Sequence, residues 1–226
     1  MTDRSDPEGA ESAHPLEAVP DGLAPGSTVL VASVGDPTES EQCFQVLSRL
    51  AAPEDTALVV TTTESAETTI ENIESVFDTE TRPSFSVVDT ESRQQSISAD
   101  YRGVPTVFTP SPGDLERMVV ALRQLSGADP PATGDRHLVV RSLTPIIEHV
   151  PIDQLCTVLD QIAGIRTSRG LTLFGVDEIA HDDETIRALT GCVDGVLWVT
   201  VAAGGTLEVT YRPVGGRFSA DPESTE

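Results

Sequence analysis

The chain has 226 residues, 38% of them hydrophobic, so it is long enough to bury a core, and its composition excludes disorder over most of its length. Its 37 acidic and 14 basic residues give a formal net charge of −23. All the bases are arginine. The lack of lysine excludes Schiff-base chemistry and the phosphate-binding lysine of a P-loop.

The acidic excess also indicates a compartment and a class of partner. A protein with this charge is best suited to concentrated salt. Such salt shortens the Debye length to about 3 Å or less and so screens the repulsion between like charges. Negative charge repels a phosphate backbone, so nucleic acid is not expected as a partner. No apolar run reaches the roughly 18 residues of a membrane span, and the N-terminus lacks the apolar core of a secretory signal. We therefore expect a halophilic, cytoplasmic protein that binds neither nucleic acid nor membrane.

The cysteines and histidines give no sign of a metal or redox site. Cys43, Cys156 and Cys192 are far apart in the sequence, and neither they nor the four histidines show the spacing of metal ligands. We expect all three cysteines to be small buried residues in a reducing compartment, and we expect no metal or other cofactor.

Short β-branched runs alternate with amphipathic stretches between two acidic ends that lack apolar periodicity. Residues 1–26 and 219–226 are predicted to be disordered tails, and 27–218 to be one domain. The predicted elements are, in chain order, strand 28–33, a helix opened by Pro37, strand 56–61, a helix capped by Ser65, strand 85–89, strand 104–108, helix 111–125 capped by Ser111, strand 137–141, helix 152–166, strand 171–174, helix 183–189 and strands 193–199 and 206–211. Such repeated βα units predict a three-layer α/β domain with a mostly parallel sheet and a C-terminal antiparallel hairpin.

Three segments carry a resemblance to a known family. HLVVRSLTPII (137–147) is similar to a Walker B strand and its continuation, VDGVLWV (193–199) to a late strand, and SPGDL (111–115) to a helix start. Their order and spacing resemble the RecA/KaiC-like ATPases, and more closely an uncharacterised haloarchaeal group that looks like degenerate members of them. The resemblance covers nearly all of residues 28–217 and implies a RecA-like fold.

Aligned with that family, the Walker A loop is degenerate. Ser33 and Thr38 stand at the two glycines, Glu39 stands at the lysine, and Ser40 keeps the hydroxyl. Acidic side chains here would repel a triphosphate. The degenerate loop comprises Ser33, Gly35, Asp36, Thr38, Glu39 and Ser40.

The Walker B position is altered as well. Arg141, followed by Ser142, stands where the family has its magnesium-organising aspartate. Glu64 lies where this superfamily often places a water-activating carboxylate, although it also fits a solvated acid before a helix cap. His181 follows a strand near the edge where α/β folds bind ligands, although it also fits a local hydrogen bond at the surface.

These features predict a non-hydrolysing RecA/KaiC-like protein, a pseudo-ATPase that acts in regulation, signalling or scaffolding through an unknown protein partner. The sequence leaves open whether the protein forms a homo-oligomer. Two alternatives remain: a module that senses ATP without turnover, and an enzyme with an unidentified site at the carboxyl edge of the strands. We also expect Arg141 to pair with Glu39, or to join a network with Asp36, in the vacated site.

Overall fold

The computed structural model describes residues 22–34, 39–92, 98–128, 133–201 and 207–214. The predicted tails lie outside these ranges, apart from residues 22–26. Residues 35–38 of the degenerate loop also lie outside them, and only the backbone of Glu39 and Ser40 is described. Within the described ranges, no helix has the length and apolar character needed to cross a membrane.

One nine-stranded sheet runs through the molecule, in the order β4-β5-β3-β2-β6-β7-β1-β8-β9. Neighbouring strands are parallel except for the antiparallel pairs β4 with β5 and β8 with β9. The strands are β1 (Thr28–Ser33), β2 (Thr56–Thr61), β3 (Ser84–Asp89), β4 (Ser98–Tyr101), β5 (Val104–Phe108), β6 (Arg136–Val140), β7 (Thr172–Asp177), β8 (Gly195–Val201) and β9 (Leu207–Pro213). The predicted C-terminal hairpin is confirmed as β8 and β9.

Helices cover both faces of the sheet. The helices are α1 (Glu39–Ser48), α2 (Ala66–Val76), α3 (Leu115–Ala128), α4 (Thr144–Ile147), α5 (Ile152–Ala163) and α6 (Asp183–Thr190), with a 3₁₀ turn at Glu178–Ala180. Apolar residues of α1 and α2 pack on one face, and those of α3 to α6 pack on the other. Because both faces are covered, all six residues of β1 are buried. This arrangement confirms the predicted three-layer α/β fold class.

Local sequence signals account for the starts of α2 and α3, although the second start differs from its predicted position. Ser65 caps α2 as predicted, and its hydroxyl accepts a hydrogen bond from the Thr68 amide at 3.3 Å. The predicted start of the next helix at Ser111 is wrong, because residues 111–113 form a turn and α3 begins at Leu115. There the carboxylate of Asp114 accepts from the Arg117 amide at 3.1 Å. Strand β4 and helix α4 were not predicted.

The expectation for the cysteines is only partly correct. Cys43 is buried in the core on α1, as expected. Cys156 on α5 and Cys192 after α6 instead form a disulfide, with their Cα atoms 6.0 Å apart. The prediction of three reduced cysteines is therefore wrong for this pair. Their sequence separation of 36 gives no indication that α5 and α6 pack together in the fold.

Candidate functional site

Those predicted site residues that the structure describes lie at the edge of the sheet where the parallel strands β1, β2, β6 and β7 end. Such edges are where α/β folds bind their ligands. Strand β7 lies between β1 and β6, so the strands that lead into the Walker A and Walker B positions are not neighbours. Strands β2 and β6 are neighbours, and this brings the segment after β2 beside the end of β6.

Arg141, directly after β6, is completely buried at 0% exposure. Its Nη1 donates to Oε2 of Glu64 at 2.8 Å and to Oγ1 of Thr69 at 2.7 Å. Its Cζ lies 5.1 Å from the ring centroid of Phe44 on α1, a cation–π contact. A buried guanidinium is costly unless its charge is compensated, and these three groups contribute to the compensation.

The alternation of side chains along β6 explains why Arg141 faces α1 and α2. Val139 belongs to the core on that side and Val140 to the core on the opposite side. Since successive side chains alternate, position 141 returns to the side of Val139. Gly175 of β7 keeps this region tight, because an added Cβ would clash with the Arg141 carbonyl and lie 3.3 Å from Sγ of Cys43.

Glu64, the candidate water-activating carboxylate, is the ion-pair partner of Arg141. Its side chain is 29% exposed, and the same Oε2 also accepts from Nδ2 of Asn72 at 2.9 Å. The hydroxyl of Thr61 donates to the backbone carbonyl of Glu64 at 2.8 Å and fixes the turn after β2. The Oε2 oxygen is thus held between a guanidinium and an amide.

The sequence reasoning missed Asp89, which ends β3 beside β2 and is fully buried. Its Oδ2 accepts from the amide of Ala66 at 2.7 Å, and both its oxygens accept from groups of Ser92. Because Ala66 is the first residue of α2, Asp89 anchors the helix that carries Thr69 and Asn72. The only signal for it in the sequence is an acid that closes a buried apolar run.

Asp89 also influences its neighbour Glu91. Partial burial and the charge of Asp89 raise the pKa of the Glu91 carboxyl, while His149 opposes the shift. The turn after β3 therefore concentrates negative charge at this edge of the sheet.

His181 lies in a separate network at the ends of β6 and β7. Its Nε2 is 3.1 Å from Oγ1 of Thr144, which accepts from the amide of Asp177 at 3.2 Å. Ser142, 1% exposed, accepts from the amide of Thr144 at 3.2 Å. Within the described ranges, no hydrogen bond or ion pair joins His181 to Glu64. The two candidate residues do not form one site through direct contact.

The degenerate Walker A loop is only partly visible. Ser33 is 1% exposed and donates to the carbonyl of Val176 at 3.3 Å. Gly35, Asp36 and Thr38 lie outside the described residues, as do the side chains of Glu39 and Ser40. The pairing of Arg141 with Glu39 or Asp36 therefore stays a prediction.

The described ranges contain no group of three or more histidine, cysteine, aspartate or glutamate side chains that could hold a metal ion. The Glu64–Arg141 pair offers one carboxylate that is already engaged by a cation. The described contacts of Arg141 and Glu64 are thus a charge pair within the protein.

Comparisons with known proteins bear on the family and the fold. A family model described as a family of unknown function, DUF7504, matches residues 26–199. No curated protein matches the chain. The structure of PH0250 from Pyrococcus horikoshii OT3 is similar with a TM-score of 0.50 and 12% identity, over 83% of this chain and 87% of that one. The flagellar accessory protein FlaH from Methanocaldococcus jannaschii matches with a TM-score of 0.44 and 10% identity, over 85% of this chain and 80% of its own. The likeness to PH0250 shows a shared fold.

Proposed function

This chain belongs to the DUF7504 family, and from its site geometry we propose that it is a RecA-like protein that does not hydrolyse nucleotides and acts in regulation or scaffolding through contacts with another protein. The observation that carries the proposal is the buried ion pair between Arg141 and Glu64, at 2.8 Å. It joins the altered Walker B position to the candidate catalytic carboxylate.

The chemistry of phosphoryl transfer supports this proposal. The reaction depends on cations and metal ions placed against the charge of the transferred group. The chain has no lysine. Arg141, the cation at the Walker B position, is hydrogen-bonded to the carboxylate of Glu64 and the hydroxyl of Thr69. Glu64 in turn is held by that cation, so it is poorly placed to activate a water molecule.

The first test is hydrolysis in concentrated KCl with magnesium and either ATP or GTP. We expect no turnover above background for the wild type. Turnover that Glu64→Gln abolishes would overturn the proposal. Glu80→Gln, at an exposed acid in the turn after α2, is the matched control and should leave any measured rate unchanged.

The second test separates loss of turnover from retention of nucleotide binding. We expect the melting temperature to be the same with and without magnesium ATP. A ligand at 100 times its dissociation constant would add about 2.7 kcal/mol of stability, which a thermal melt detects readily. A rise of that size would favour the ATP-sensing alternative.

Exposed apolar side chains at the carboxyl edge support the partner contact. Ile179, in the 3₁₀ turn, is 65% exposed, and Val34, after β1, is 41% exposed. That turn contacts β1, so both lie on one side of this edge. Groups of large exposed apolar side chains on one side of a molecule often mark protein contacts.

A pull-down from a lysate in concentrated KCl tests this contact. We expect a bound protein that is lost with Ile179→Asp and retained with Val120→Asp. Val120 is the matched control, because it is 59% exposed on α3, away from this edge. Equal capture by both variants would exclude this surface as the contact.

A further inference from the structure

Among the described residues, no strand pairs with the outer side of the last strand, β9. It lies at the end of the sheet order, and among the described strands it pairs only with β8. An edge strand presents a row of backbone N–H and C=O groups that another strand can pair with. Whether it does so depends on the side chains that would meet across the new pair.

The side chains of β9 are divided between the two faces of the sheet. Glu208, Thr210 and Arg212 are exposed. Val209 and Tyr211 are half-buried and pack against the core on the side of α1 and α2. The strand therefore has one charged face and one apolar face, as its period-two pattern requires.

The charged face of β9 is complementary to itself. In an antiparallel pair of identical strands centred on Thr210, residue 208 lies opposite residue 212, since both are two positions from the centre. The same pairing brings Val209 opposite Tyr211. Opposite charges and apolar pairs that face each other across strands stabilise such a pair.

We propose that two copies of this chain associate through β9, antiparallel and with a two-fold axis at Thr210, so that the two sheets become continuous. Glu208 then faces Arg212 of the partner subunit, and by symmetry the same ion pair forms a second time. Val209 faces the partner subunit's Tyr211 and extends the apolar face across the junction.

Contacts within the chain leave these charges available for the pairing. Neither Glu208 nor Arg212 takes part in an ion pair with another described residue. Arg212 instead lies over Trp198, with Cζ 5.4 Å from the ring centroid, which holds the guanidinium on the charged face. Pro213, which has no N–H, marks the end of the strand.

Net charge gives the association a characteristic salt dependence. Two chains of −23 repel one another, so the dimer requires enough salt to screen the long-range repulsion. The contribution of the Glu208–Arg212 ion pairs to dimer formation is therefore measured best at the lowest KCl concentration at which the protein stays folded.

Charge reversal tests the register directly. Sedimentation equilibrium at that KCl concentration should show a dimer for the wild type. Glu208→Arg and Arg212→Glu each place like charges opposite one another twice, so each should raise the dissociation constant at least tenfold. The double variant exchanges the two charges and should restore the wild-type constant to within about threefold. Glu54→Arg, an exposed turn residue with the same change of charge as Glu208→Arg, should leave it unchanged.

A cross-link tests the axis without depending on charge. Residues directly opposite in an antiparallel pair have Cβ atoms about 4.5–5.5 Å apart, close to the spacing of a disulfide. Thr210→Cys should therefore form a covalent dimer on mild oxidation, seen on a non-reducing gel. Thr200→Cys, exposed on the neighbouring strand β8, should not.

Several results would overturn the proposal. A wild type that stays monomeric at every protein and salt concentration excludes the dimer. If Glu208→Arg weakens the dimer no more than Glu54→Arg does, the dimer interface lies elsewhere on the molecule. Failure of the double variant to recover association, together with the absence of a Thr210→Cys cross-link, excludes the two-fold register. Far-ultraviolet circular dichroism confirms that each variant is folded.

Discussion

Strands β2 and β6 carry buried ionisable side chains at both ends, and the two ends stabilise them differently. At the amino end, Asp55 and His137 are joined by a contact of 3.1 Å between Oδ2 and Nε2. The amides of Ala52 and Asp135 donate to the carboxylate at 2.7 Å each. The amide of Leu171 donates to Nδ1 of His137, so the ring proton lies on Nε2 and points to Asp55.

At the carboxyl end, the Arg141 side chain contacts the side chains of Glu64, Thr69 and Phe44. The donors at the amino end are backbone amides, which every residue type except proline provides, and they hold the neighbouring loops against the sheet. The partners at the carboxyl end are side chains, so they depend on residue identity, and a single substitution removes one of them. We infer that the amino end is stabilised mainly by the backbone of the fold, whereas the carboxyl end holds one specific charge pair through its side chains.

The largest effect is expected for Glu64→Gln. The substitution leaves the guanidinium of Arg141 buried without its carboxylate, and breaking a buried pair costs about 3–5 kcal/mol. Because the Glu64 side chain is 29% exposed and glutamine still accepts a hydrogen bond, we expect about 3 kcal/mol of destabilisation. Denaturant unfolding in concentrated KCl measures it. A loss no larger than that of Glu80→Gln would show that the pair contributes nothing to stability.

Asp55→Asn should cost somewhat less, about 2 kcal/mol, because an amide cannot accept from every donor that faces the carboxylate. Burial opposes ionisation of Asp55, but hydrogen bonds from Ala52, Asp135 and His137 outweigh it and lower the pKa of the carboxyl below its ordinary value of 3.8. A lowered pKa in the folded state stabilises the protein above about pH 4, and the contribution is lost as the pH falls through the folded-state value.

The stability gap between wild type and Asp55→Asn should therefore be widest above about pH 4 and narrow below it. Melting temperatures of the two proteins between pH 7 and pH 2 measure the gap. A gap that stays constant down to pH 2 would show that the ionisation of Asp55 is not linked to folding.

The smallest effect is expected for Thr69→Val, which keeps the shape of the side chain and removes one hydrogen bond to Arg141. Thr69 is fully buried, and a hydrogen bond to a charged group is worth about 1.5 kcal/mol. Thr63→Val, at an exposed position in the segment after β2, is the matched control and should be close to neutral. Equal losses for the two variants would show that the bond from Nη1 adds nothing to the ion pair.

Much of the fold could be predicted from the sequence, because parallel strands covered on both faces read as continuous β-branched runs. The runs at Thr28 and Thr56 match β1 and β2 at both ends. Strand β4 was missed because its sequence, SADY, is short and polar. The start of α3 was misplaced because the serine-proline signal at Ser111 belongs to a turn.

The candidate site was predicted residue by residue but not as a set of contacts. Arg141 and Glu64 were both singled out, yet their pairing depends on β2 lying beside β6, which the order of elements along the chain does not reveal. The side that Arg141 faces was open to prediction, since it follows from the alternation with Val139. Asp89 and Thr69 carried no distinguishing signal, because a buried polar residue near a strand or helix end is common.

The disulfide between Cys156 and Cys192 alters how the chain is connected. It closes a covalent ring around β7 and α6, and this ring contains Arg166, Arg169 and Arg187. Since a lysine-free chain offers trypsin only arginines, the exposed Arg169 is a natural place for a cut. Such a cut leaves no free fragment, because the piece that carries β7 to β9 stays tethered to α5. The molecule would keep its mass on a non-reducing gel and separate into two pieces only when a thiol reductant is added.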